Sequence, residues 1–439
     1  TASNVETVTG GTGADTVTLG AAITGAVVNL GAGADSLVLA GSGNTASVSG
    51  VESLTGGAGN DVITYTAAVS GATIDLGAGA ADQLTLAAGG NTVTVSGAES
   101  IVGGINGDNV TLGAAVAAGT IDLAGGTDTL TLANGVNGLT VTDAETITGN
   151  SGADTITLAA AVTGAVVNLA GGSDVLNLFD TATNSLTATA VESILGGSGA
   201  DTVTLGAAIS GATINLASGT DSLVLANGAN TITATNVETI TGGTGADNVT
   251  LGASVTGATI NLGAGNDILT LDSAAAANTL TVSGIETIVG GSGDDDITFT
   301  GGVTGGSFSL GAGTGDKLTL GGASTLTLDG TIETVVGSAG ADTITVSTSI
   351  TSGNYDLGAG SDKLMLADGG NTLSLNNTVE TLIGGSGADV ITLTQAVINM
   401  QIDAGAGTDK LTLAGAAAKT GIAFHPAALA FYKARSATK

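Results

Sequence analysis

Cysteine and tryptophan are absent from this 439-residue chain, and proline and histidine occur once each. No disulfide or thiol chemistry can brace or activate it, and a His-assisted nucleophile or a zinc centre has almost no material. Aromatic residues make up 2% of the chain, so any core is assembled from small aliphatic side chains and is thin. Positive charge is scarce as well: 7 Lys and Arg stand against 38 Asp and Glu, a formal net charge of −31. A nucleic-acid partner is disfavoured, because phosphate contacts need a basic face. Carboxylates at this density repel one another unless cations sit among them. No apolar run reaches the roughly 18 residues of a membrane-spanning helix. The chain begins at Thr1 with a stretch unlike a signal peptide, which suits a processed or partial product.

What the chain has in abundance is glycine, 75 residues of it, and repetition. The stretch Val237–Leu251, V-E-T-I-T-G-G-T-G-A-D-N-V-T-L, recurs from Val5, Val51, Ala98, Ala144, Val191, Val237, Ile285, Ile332 and Val379, nine times at intervals of 46 to 48 residues. Such a period signals a stacked solenoid rather than two or three ordinary domains. Each repeat carries two glycine turns ending in Asp. These aspartates are Asp15, Asp35, Asp61, Asp82, Asp108, Asp128, Asp154, Asp174, Asp201, Asp221, Asp247, Asp267, Asp295, Asp316, Asp342, Asp362, Asp389 and Asp409, 18 in all. After each one an alternation such as T-V-T-L predicts a short strand with Val and Leu inward and Thr outward.

The predicted fold is all-β: a parallel, right-handed β-solenoid over residues 1–413, one elongated body in which each half-repeat forms one coil. Nine repeats then give about 18 coils, stacked over roughly 85 Å at the spacing of neighbouring strands. A rival reading makes each whole repeat one large coil. From Ala414 the pattern fades, and residues 414–439 hold the single Pro and His and four of the seven basic residues. Pro426 opens a predicted short helix to about Arg435. This tail reads either as a cap over the last open coil or as a docking element with Phe424, Leu429, Phe431 and Tyr432 as its apolar contacts.

The turns resemble the nonapeptide G-G-x-G-x-D-x-U-x of RTX proteins, in which U is a large apolar residue. The run from Gly242 to Thr250 fits every position, as do the stretches beginning at Gly10, Gly56, Gly196 and Gly384. The resemblance covers about residues 5–413. It implies a β-roll in which glycine turns bind Ca2+ between stacked coils, with the 18 aspartates as metal ligands. Glycine allows several carbonyls to aim at one point, and calcium takes six or more oxygens. Some turns depart from the pattern: those ending in Asp35, Asp267 and Asp362 read L-G-A-G-x-D, lacking one glycine of the pair, and those ending in Asp108 and Asp342 are degenerate. Gly-Asp turns also close strands without metal, because Asp accepts bonds from nearby amides. The nine Glu residues from Glu6 to Glu380, four positions before each turn, form a further column, read as a solvated face or as additional ligands.

For function, the regularity of the acids and the lack of an insertion that would build a cleft argue against a carboxylate-pair glycosidase and against enzymatic activity generally. The reading is a calcium-stabilised extracellular or cell-surface structural protein, like the repeat regions of S-layer and RTX adhesin proteins. It would act through self-association or docking to a surface, with no nucleic acid and no membrane span. Two alternatives stand beside it. The segment F-H-P-A-A-L-A-F is similar to the C-terminal end of some tailed-phage coat proteins, which keeps a virion-surface fibre open. Outward Thr pairs such as Thr16/Thr18, Thr155/Thr157 and Thr202/Thr204 resemble the ladders of RTX-type ice-binding proteins, but Val62, Val175, Ile268, Lys317, Lys363 and Lys410 interrupt them.

Overall fold

A computed structural model describes residues 1–395 and 399–413, and the backbone of the strand Ala423–Phe424. Among the described residues the regular structure is entirely β, and the strands pair in parallel. The alternation of β-branched and polar residues sets this locally. Thr202–Leu205, T-V-T-L, alternates half-buried and buried positions, with Val203 and Leu205 inward.

The chain divides into two compact units, Thr1–Asp221 and Ser222–Lys439. In the first, successive strands alternate between two sheets. One begins with Thr7–Thr9, Thr24–Asn29 and Thr45–Ser49. The other begins with Thr16–Thr18, Ser36–Val38 and Ser53–Gly57. The second unit follows the same rule, with Ser222–Val224 and Thr239–Thr241 in one sheet and Thr231–Thr235 and Asn248–Leu251 in the other. Each is a parallel β-solenoid with two strands per turn, and stacked partners lie 17 to 23 residues apart in sequence.

This changes the expected coil. One repeat contains five strands, for example Ser100–Val102, Asn109–Leu112, Gly119–Asp122, Thr129–Thr131 and Gly138–Thr142 before the next copy at Thr146–Thr148. At two strands per turn a repeat makes two and a half turns, not two coils and not one. The 45 strands among the described residues make about 22 turns, where half-repeat coils imply about 18. The V-E-T segment therefore falls on one sheet at Ser100–Val102 and on the other at Thr146–Thr148.

The core is a set of aliphatic columns in register. Ile63, Leu84, Ile101, Ile121, Val141 and Leu158 stack in one sheet of the first unit, each less than 5% exposed. The few aromatics need local adjustment. Tyr65 and Tyr355 are fully buried, and their hydroxyls donate to the carbonyls of Val51 and Ile332, each at 3.2 Å. In the second unit Phe299 and Phe308 meet across the core with ring centroids 5.0 Å apart. Gly306 makes room for Phe308, whose ring occupies the space a side chain there would fill. The predicted helix from Pro426 and the docking residues Leu429, Phe431 and Tyr432 lie outside the described residues, as does the side chain of Phe424.

Candidate functional site: carboxylate ladders along the turns

Each motif aspartate occupies the position just before a strand, and burial there is nearly complete. Sixteen of the 18 are 0–2% exposed, from Asp35 to Asp389, while Asp15 and Asp409 are half-buried. A buried carboxylate is costly unless hydrogen-bonded, and the stacking of turns supplies the bonds. The backbone N–H of Asp108 donates to Asp128 Oδ1 on the next turn at 2.6 Å, and that of Asp128 donates to Glu145 Oε2 at 2.7 Å. On the other edge of the same unit Asp154 N–H donates to Asp174 Oδ1 at 2.7 Å and Asp174 N–H to Glu192 Oε2 at 2.9 Å. The second unit repeats this at Asp295, Asp316 and Glu333, and at Asp342, Asp362 and Glu380.

Asparagine starts seven of the nine runs. Asn91 Oδ1 accepts from Val69 N–H at 3.2 Å, and its own N–H and Nδ2 both donate to Asp108 Oδ1 at 2.8 Å. Asn44, Asn137, Asn184 and Asn371 repeat the bond to the Asp above, and Ser324 stands in for Asn before Asp342. The ladder order is therefore Asn, Asp, Asp, Glu, followed by a turn with an apolar residue. Side-chain oxygens cap main-chain amides that a solenoid corner would otherwise leave without acceptors. The sequence reading missed the Asn column, and the Glu column is not the solvated face it was read as. From Glu52 to Glu380 these glutamates are half-buried, and Glu52, Glu99, Glu145, Glu192, Glu286, Glu333 and Glu380 cap amides.

In five of the nine repeats the first aspartate of the pair closes its own turn. Asp15, Asp61, Asp108 and Asp201 turn Oδ2 back to the N–H of Gly11, Gly57, Gly104 and Gly197 in their own turns, and Asp342 takes Ser338 N–H. By contrast, Oδ2 is buried without a hydrogen-bond partner in Asp35, Asp82, Asp128, Asp154, Asp174, Asp247, Asp267, Asp295, Asp316, Asp362 and Asp389. Loss of water pushes the carboxyls of Asp82, Asp128, Asp174 and Asp267 above the ordinary range despite the amide bonds. It carries Asp316 and Asp362 up to about 6, with like charge from the stacked Asp and Glu adding to the effect.

The ladders bring all 18 aspartates into stacked rows rather than clusters. Among the described residues no three acidic or histidine side chains converge as a metal-binding group. A calcium ion here would take one orphaned Oδ2 and draw its other oxygens from turn carbonyls. Those of Gly11, Gly57 and Gly243 each accept one N–H from the next turn, which leaves a second lone pair. A buried oxygen of this kind, open to a cation, occurs at 11 of the aspartates. At Asp61, Asp108, Asp201 and Asp342 both oxygens are already engaged.

A shallow depression lies where Gly119 and Gly138 interrupt the strand pattern, lined by Thr120, Thr140, Thr155, Thr157 and a single carboxylate, Glu99. Comparison with models of known protein families and with curated proteins found no match. The fold is that of a parallel β-solenoid, consistent with a β-roll repeat protein, and it fits a structural role. No helix among the described residues is long and apolar enough to cross a membrane.

Proposed function

We propose that the chain is a non-enzymatic, calcium-stabilised structural element of an extracellular surface, of the S-layer or adhesin kind. The observation that carries this reading is the orphaned Oδ2 of 11 buried motif aspartates. Uncompensated buried carboxylate is strongly unfavourable, and a divalent cation supplies the missing charge and coordination. Extracellular calcium is abundant enough to fill weak sites, and binding free energy of that kind becomes folding free energy. The engagement of the motif acids in amide caps supports a structural role for them.

The test is circular dichroism and thermal unfolding of the full chain at pH 7.5, first in excess chelator and then through a calcium titration with bound ions counted. Strand signal or melting temperature rising with calcium, with several ions bound per chain, is expected. A fold and melting temperature indifferent to chelator at neutral pH would overturn the calcium reading and leave protonation to neutralise the ladder.

A further inference from the structure

The first unit contains 19 acidic residues and no Lys or Arg. Yet its 23 strands carry only two charged residues, Asp75 and Asp122. The remaining acids lie at the turns or just before strands. What the two sheets present outward is a field of hydroxyls and amides in register. In one sheet Ser100, Thr120, Thr140, Thr157 and Asn177 stack in a column. In the other Thr94, Thr111, Thr131, Thr148 and Asn168 do the same. Exposed valine and leucine punctuate both, with Val102 and Leu195 on the first and Val166 on the second, 39–45% exposed. Depletion of charge is a compositional mark of the centre of a protein interface, and it is pronounced in a chain this acidic.

We propose that these two outward faces are self-association surfaces, through which copies of this chain stack sheet against sheet. The proposal rests on the reading of the protein as a surface structural element and names the surface that reading needs. Three points favour a second copy as the occupant. Face-to-face stacking brings uncharged strands together and keeps the carboxylate turns at the periphery, where repulsion between two acidic chains is screened. The half-turn offset of successive repeats gives both faces the same chemistry, so a copy that binds one face offers an equivalent face on its far side. The area also suffices: eleven or twelve strands per sheet at about 4.8 Å, each about 13 Å long, present roughly 700 Å² per partner, within the range of specific interfaces.

Sedimentation velocity of the full chain in calcium buffer over a concentration series tests this. The variants are Thr73→Glu with Thr94→Glu on one face, Thr120→Glu with Thr155→Glu on the other, and all four together. All four residues are exposed, and circular dichroism checks that each variant keeps the parent fold and melting temperature. The parent should grow past dimer as concentration rises. Either pair alone should stop growth at dimer, and the four together should shift assembly by at least about tenfold in concentration, the scale of 1.4 kcal/mol. A parent that stays monomeric, or a fourfold variant that assembles like the parent, would overturn the proposal, as would parent-like assembly of both pair variants. Chelator separates the two readings: assembly that follows the face variants in a chain whose fold ignores chelator would sink the calcium reading and leave this one standing.

Discussion

Asp362 shows at the scale of one residue what the ladders demand. Its Oδ1 accepts Asp342 N–H at 2.8 Å while Oδ2, in a side chain 1% exposed, has no partner. Burial first, then the neighbouring Asp342 and Glu380 charges, raise its carboxyl to about 6. A folded-state value above the unfolded one means that the folded chain holds the proton more tightly. Its contribution to stability is fully present below the ordinary carboxyl range and is lost as pH rises through about 6. In chelator the chain is therefore expected to melt higher near pH 4 than near pH 7, opposite to the usual acid destabilisation. Asp362→Asn keeps the acceptor for Asp342 and removes the titration. It should flatten part of that slope and cost little at neutral pH without metal, while reducing the gain from calcium. Melting curves of both proteins at several pH values, with and without calcium, decide it. A parent less stable at low pH in chelator would count against the orphaned-oxygen account.

At the scale of an element, strand and turn each had their own legibility. The inward Val, Leu and Ile were readable because a strand alternates with period two, and T-V-T-L has one sensible burial. The ladder was only half readable, because attention to aspartate as a residue type hid a shared position. Asn91-Thr92-Val93, Asp154-Thr155-Ile156 and Glu99-Ser100-Ile101 put an oxygen-bearing side chain in the same place before the same kind of strand. Which oxygen finds a donor depends on the turn stacked beside it, and local sequence does not specify that. The turn after the long strands offers a test. Gly31, Gly77 and Gly263 adopt φ of +93° to +94° there, while Ala124, Ala170 and Ala217 occupy the equivalent place at +64° to +67°. Left-handed alanine is strained by about 1 kcal/mol, so Ala217→Gly is expected to raise stability by up to that amount. Gly77→Ala should lower it by more, since its Cβ would collide with the carbonyl oxygen of Gly57. Chemical denaturation of both variants gives the signs, and a destabilised Ala217→Gly would refute the strain.

For the molecule as a whole, the coil is the quantity that sequence periodicity concealed. A repeat of 46 to 48 residues invites division by two, yet the Asn and Glu turns close the chain just as the Asp turns do, so five strands rather than four fill each repeat. The turn, not the half-repeat, should then be the removable part, because a solenoid turn contacts chiefly its neighbours. Deleting residues 155–174 in the first unit removes one strand from each sheet, Thr155–Leu158 and Thr163–Asn168. It joins Asp154 to Val175, and Val175 already stacks in register with Thr155. Leu176 would then follow Leu139 in the core column that Ile156 held, and Asp154 N–H would meet the Glu192 oxygen that Asp174 uses. The shortened first unit should unfold cooperatively within about 3 °C of the parent, the scale of roughly 1 kcal/mol in a unit of this length. Deleting residues 155–177, the length of one supposed half-repeat coil, removes three strands and sends the following strand, Ser185–Thr189, to the wrong sheet. It should melt well below the 155–174 deletion. Equal melting of the two, or loss of folding in the shorter deletion alone, would contradict two and a half turns per repeat.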